Sequence, residues 1–154
     1  MEVKYAKRMM TEGGSEISDI LALTAKPEVI SFAGGLPAPE LFPVEDMERM
    51  ANEVLEEVGR VALQYSSAQG FPKFRQQIAD RMNDKQKTNV KADDILITSG
   101  SQQALEFSAK IFIDEGDVIL CESPTYLGAL NAFNGYGPKY IEVETDEDGM
   151  NMEA

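Results

Sequence analysis

Apolar and polar positions divide the chain into two styles of patterning. The first half shows helical spacing broken by loops rich in Gly and Pro. Ile17, Ile20, Leu21 and Ala25 fall on one side of a short predicted helix over Ser15–Ala25, with Ser15 as its cap and Pro27 ending it. Val29–Phe32 reads as a short extended run, and Ala33–Pro39 is too rich in Gly and Pro for regular structure. Pro43 suits the first turn of the next helix, with Glu45 and Asp46 favourably placed against its dipole. Apolar residues at 47, 50, 51, 54, 55 and 58 form its stripe, and Gly59 fits the position just past its end. Leu63–Ser67 leads into a loop at Gly70–Pro72. Pro72 opens a helix with Phe74, Ile78 and Met82 at spacing four, and Lys85–Asp94 is a polar connector.

From Ile95 the pattern becomes strand, helix, strand. Buried strands are expected at Ile95–Thr98 and Val118–Cys121 around a helix over Gln102–Ile113; a helix near Leu127–Asn134 and a strand at Tyr140–Val143 follow. This alternation predicts an α/β fold with a parallel sheet and right-handed crossovers. Asp146–Gly149 reads as a turn.

The chemistry of this second half sits at strand ends. The Ser99-Gly100-Ser101 turn carries the chain from strand into helix, and the free N–H groups there, with the helix dipole, form a seat for a phosphate. The same residues also suit a plain turn with Ser101 as helix cap. Ser123-Pro124-Thr125-Tyr126 closes the next strand, and parallel strands release their loops at one sheet edge. Tyr126 should therefore emerge beside the phosphate seat, unless it is a half-buried structural tyrosine. An anion seat with a neighbouring aromatic ring suggests a flat, phosphorylated cofactor.

Composition narrows the choices. The 154 residues are 43% hydrophobic, enough for one modest core, and carry no repetitive or Pro/Ser-rich segment. The net charge of −13 argues against nucleic acid or an anionic membrane as partner. The acidity is uneven, since Lys110 and Lys139 are the only bases after Gln102. The lone Cys121 fits a reducing cytoplasm and a place in a core strand, and no signal peptide or membrane span is expected. With no histidine, Ser-His-Asp and Cys-His nucleophiles and His-based zinc sites drop out, so no metal site is expected. Chemistry must come from carboxylates, Lys, Tyr or a borrowed cofactor.

Four ordered segments carry a resemblance: Ile30–Pro43, Leu63-Gln64-Tyr65-Ser66 with Gly70, Thr98–Leu105, and Glu122–Ala129. Together they resemble the class I/II, fold-type I pyridoxal-phosphate aminotransferases, nearest to the 2-aminoadipate/kynurenine branch, from about Ser15 onward. The resemblance implies transamination between an amino acid and a 2-oxo acid in a cytoplasmic homodimer. It implies that Gly100, Ser101 and Gln102 bind the phosphate of pyridoxal 5'-phosphate and that Tyr126 stacks on its pyridine ring. Tyr65 would reach the phosphate of a neighbouring subunit, Gly35 and Leu36 would line the substrate pocket, and the helix near Ser15–Leu23 would close over the substrate. Residues 1–70 would be the arm and lid, and residues 71–154 the first part of the cofactor-binding large domain. A non-catalytic ligand-sensing domain of a regulator is the alternative reading.

The family's Schiff-base lysine lies in a Ser-x-Lys segment followed by Pro-Gly-x-Arg. Only Ser108-Ala109-Lys110 has that spacing here, and Lys110 reads as a solvated helix residue. No catalytic residue is therefore assigned, and the chain is expected to be an amino-terminal portion, inactive alone. In the family, strands from later sequence lie between the one at Ile95–Thr98 and those at Val118–Cys121 and Tyr140–Val143. The chain is thus expected to leave strand edges and apolar faces unpaired.

Overall fold

The computed structural model describes residues 3–6, 29–30, 32 and 35–154. The helix expected over Ser15–Ala25, together with Ser31, Ala33 and Gly34, lies outside the described residues. Two compact units divide between Leu96 and Ile97, Gly13–Leu96 forming one and Ile97–Ala154 with Met1–Glu12 the other.

In the first unit, a 3-10 turn at Pro39–Leu41 precedes α1, Val44–Ala62, whose amino end carries Glu45 and Asp46. Pro43 is its N-cap residue, one place before the first turn expected for it. The helix does not stop before Gly59. It kinks at Val58 (φ −136°, ψ 21°) and continues one more turn, with the Leu63 N–H bonded to the Gly59 carbonyl at 3.0 Å. Glycine weakens a helix interior without forbidding it, and the following Arg-Val-Ala has good enough propensity to resume. The apolar stripe faces outward. Met47, Val54 and Val58 are 59%, 47% and 41% exposed. Val54, Val58 and Val61 line an open groove of about 630 Å³ whose other side includes Phe71 and Phe74.

Helix α2, Pro72–Gln86, starts at a proline already set at a helical φ. Polar side chains bind its surroundings. Arg75, 6% exposed, donates to the Ala92 carbonyl at 2.7 Å and to the Gly70 carbonyl at 3.3 Å. Asn83 clamps the connector, donating to the Val90 carbonyl (2.9 Å) and accepting from the Val90 N–H (2.8 Å) and the Thr88 hydroxyl (2.9 Å). A 3-10 turn, Ala92–Asp94, follows, with the Lys91 N–H bonded to the Asp94 carboxylate at 2.9 Å.

The strand expected at Ile95–Thr98 joins no ladder, and Leu96 is half exposed. Ile95 has extended dihedrals (φ −109°, ψ 128°), so the local preference is expressed without a pairing partner.

The second unit begins with α3, Gly100–Phe112, two residues earlier than the periodicity placed it. Strand β1, Val118–Glu122, helix α4, Leu127–Asn134, and strand β2, Lys139–Val143, then form a β-α-β unit. The strands pair in parallel, Val118 opposite Lys139 through Glu122 opposite Val143. A small antiparallel hairpin, β3 (Thr145–Asp146) with β4 (Gly149–Met150), turns at Glu147-Asp148, where the Asp146 side chain accepts the Asp148 N–H at 2.8 Å. Helices α3 and α4 pack on each other.

The single core expected from composition is not what forms. Among the described residues only Ala79, Ala109 and Ala132 are buried apolar side chains bearing a Cβ, and no large side chain is fully buried. Two parallel strands shelter few side chains, because a parallel sheet needs helices on both faces and neighbours on both edges. Cys121 is half-buried in β1, its thiol 3.9 Å from the Ile141 carbonyl. No described helix is long and apolar enough to cross a membrane. No group of three or more His, Cys, Asp or Glu among the described residues could hold a metal ion.

Candidate functional site

Where α3 begins, the chain must turn from an extended approach into a helix within one residue. Gly100 makes that turn with φ +80°, a left-handed value that side chains resist. The Thr98 hydroxyl donates to the Gly100 carbonyl at 3.0 Å, and the Ser99 N–H donates to the Gln103 side-chain oxygen at 2.6 Å. Gln103 therefore fixes the entry to the helix, and no side chain caps the helix amides themselves. Ser101 does not act as the cap. Ser99 holds that position, and Ser101 lies in the first turn, exposed. The opening N–H groups, which have no partner within a helix, are left with the positive end of the dipole for a bound anion. These are the properties a phosphate requires.

The second component stands at the end of β1. Tyr126 is the N-cap residue of α4, and its carbonyl accepts the Ala129 N–H at 3.0 Å. Its side chain is 63% exposed. The ring lies across Gly128, where a Cβ would stand 2.6 Å from Cε1 and Cζ and 2.7 Å from Oη.

One hydrogen bond brings these parts together. Gln102 Nε2 donates to the Gly128 carbonyl at 3.1 Å, across 26 residues of sequence. The first turn of α3 is thereby tied to the first turn of α4, and Ser101, Gln102 and Tyr126 belong to one neighbourhood. Sequence periodicity could place both helix starts at one sheet edge. It could not name the amide that links them, because nothing local distinguishes Gln102 from Gln103.

The other expected site residues lie in the first unit. Tyr65 follows the end of α1, 99% exposed, its N–H bonded to the Gln64 side chain at 2.8 Å. Gly35 and Leu36 lie in the loop before Pro39, exposed, Leu36 at 70%. Lys110 is an exposed residue in the last turn of α3.

Away from the α3–α4 link, Tyr140 donates to the Asn134 side chain at 2.8 Å. Burial, and then the nearby Cys121, push its phenol pKa above the ordinary value.

Comparison with known proteins gives a consistent picture. Residues 28–154 match the family described as Aminotransferase class I and II. An aromatic-amino-acid aminotransferase 1 from Thermococcus litoralis is 42% identical over 152 residues, covering 99% of this chain and 36% of that protein. A 2-aminoadipate transaminase from Thermus thermophilus is 44% identical over 140 residues, covering 91% and 34%. The crystal structure of a kynurenine aminotransferase from Pyrococcus horikoshii, in complex with PMP, KYN as substrates and KYA as products, superposes with a TM-score of 0.87. It is 39% identical, covering 97% of this chain and 37% of the other. The chain thus spans about a third of the length of the relatives it matches.

Proposed function

Because the chain belongs to the class I and II aminotransferases, we propose that it forms part of an enzyme that moves an amino group between an amino acid and a 2-oxo acid with pyridoxal 5'-phosphate. The observation that carries this reading is the Gln102–Gly128 hydrogen bond, which sets an uncapped helix amino terminus beside an exposed tyrosine ring. The donor set fits the cofactor: amides and a hydroxyl suit a dianionic phosphate, and a phenol ring suits a flat heterocycle. The solved relative carrying PMP supports the same assignment.

In this reading Gly100, Ser101 and Gln102 hold the phosphate through backbone N–H groups and the Ser101 hydroxyl. Tyr126 covers one face of the ring and excludes water from it. The bound cofactor supplies an electron sink for the amino acid's α-carbon. Gly35 and Leu36 line the substrate pocket, where the missing side chain at 35 leaves room for the substrate to approach backbone. Tyr65 reaches the phosphate of a second subunit, making the site a property of a homodimer. Residues 1–70 serve as arm and lid, and residues 71–154 begin the cofactor-binding domain. The single cysteine supports a cytoplasmic setting.

The lysine that holds the cofactor covalently is assigned to sequence outside these 154 residues, since Lys110 is an exposed residue in the last turn of a helix. Residues 1–154 alone are therefore inactive. Mixing them with pyridoxal phosphate, reducing with borohydride and mapping the peptides should leave no lysine stoichiometrically labelled. A stoichiometric label on any one lysine here would refute the assignment. In the whole protein, turnover of an amino donor is expected, and ligand binding without turnover would favour the regulatory sensor instead.

A further inference from the structure

Gly128 is a buried residue in the first turn of α4, and its backbone has no positive φ to require glycine. What it lacks is room. A Cβ there would stand 2.6 Å from two ring carbons of Tyr126 and 2.7 Å from the phenol oxygen, closer than carbon atoms approach without displacement. The backbone of Tyr126 is held at the start of the same helix, its carbonyl accepting the Ala129 N–H at 3.0 Å, so a methyl at 128 is accommodated by the exposed ring turning away about its own side-chain torsions. The carbonyl of Gly128 is fixed in turn by Gln102 at 3.1 Å, in the turn where the phosphate is assigned.

We propose that Gly128 is a positioning residue: its bare Cα is the floor on which the Tyr126 ring rests, and Gln102 holds that floor in register with the phosphate-binding turn. The inference rests on the cofactor reading above and adds the element that sets where the ring stands. Gln102 then has two roles, its N–H facing the phosphate and its side chain fixing the ring's support. Adding one methyl at 128 lifts the ring while leaving every phosphate donor in place. The consequence is a selective loss: affinity for the cofactor falls, affinity for a bare phosphate does not.

The test uses the full-length protein bearing this chain and four variants: Gly128→Ala, Tyr126→Ala, the double variant, and Gln102→Leu. Each is checked for its melting temperature and far-ultraviolet circular dichroism. Binding of pyridoxal phosphate is titrated by absorbance, and binding of inorganic phosphate by competition. Gly128→Ala should weaken pyridoxal phosphate about three- to tenfold, the size of one aromatic contact, with inorganic phosphate unchanged. Gly128→Ala should add nothing in the Tyr126→Ala background, since the ring it displaces is gone. Gln102→Leu keeps the amide and loses the tie, so it should show the same selective loss, and it carries the test if Gly128→Ala does not fold. Wild-type affinity in both Gly128→Ala and Gln102→Leu overturns the proposal. So does an equal loss for inorganic phosphate, or an additive loss in the double variant. Unchanged affinity in Tyr126→Ala overturns the cofactor reading itself, and this inference with it.

Discussion

The two units achieve order by different means. In Ile97–Ala154, neighbouring backbone segments bond to one another, through the β1–β2 ladder and the packing of α3 on α4. In the described part of Gly13–Leu96, helix α1 stands with its apolar residues outward, and the connecting loops are held by single polar side chains, Arg75 and Asn83. Apolar content is therefore a poor guide to where the chain is tied down. The α1 stripe has a strong helical period and stays about half exposed, whereas Arg75, one of the most polar residue types, is among the most enclosed. A patterned apolar face marks what a helix can bury, and the bonding partners decide what it does bury.

The contrast can be broken most forcefully at Arg75. Arg75→Ala should destabilise the first unit by about 2–3 kcal/mol, because it strands the Ala92 and Gly70 carbonyls and empties the space of the guanidinium. A urea midpoint unchanged from wild type would show that those hydrogen bonds do not hold the unit together. In the second unit, Gly100→Ala should cost about 1–2 kcal/mol, the penalty of a left-handed dihedral for a residue with a Cβ. No neighbour lies within 4 Å of that Cβ, so the whole effect is backbone strain. Pyridoxal phosphate affinity should fall alongside, and a variant that keeps both stability and affinity would contradict the assigned turn.

A smaller effect is expected at Tyr140. Tyr140→Phe loses the bond to Asn134 and should cost about 1 kcal/mol. Tyr140 also predicts a pH dependence. Its phenol pKa is raised in the folded state, so the native protein holds that proton more tightly than the unfolded chain does. Its contribution is complete below the unfolded tyrosine value near pH ~10 and is lost as pH rises through the raised folded value. Alkaline denaturation of Tyr140→Phe should show a shallower decline over that interval. Least of all should come from Arg49, which pairs with Asp46 and Glu53 on the α1 surface at 3.0 Å each. Arg49→Ala should leave the urea midpoint where it was, since solvent screens exposed pairs.

The sequence was legible where structure is local. Val118–Cys121, Leu127–Asn134 and Tyr140–Val143 lie within a residue of the observed elements, because short apolar runs and Gly or Pro punctuation act over a few positions. Reading failed where the deciding partner is distant. Ile95–Thr98 has a strand's composition, and a strand exists only when another segment accepts its hydrogen bonds. Gly59 resembled a helix end, yet a glycine stops a helix only when the residues after it also decline to continue, and Arg60, Val61 and Ala62 do not. At the candidate site, the motif residues Gly100, Ser101 and Tyr126 could be picked out in advance. The amide of Gln102 reaching Gly128, and the floor Gly128 provides, could not, since each is a relation between residues and not a property of either.

Gly100 has one more consequence. Its φ of +80° with open space around the missing Cβ means that position 100 is selected by handedness and not by size. The natural code contains only one residue indifferent to handedness, so the turn that opens this helix favours glycine over every residue with a Cβ. A mirror-image alanine, introduced by chemical ligation, would prefer the very dihedral that ordinary alanine opposes, and it would narrow the unfolded chain's freedom besides.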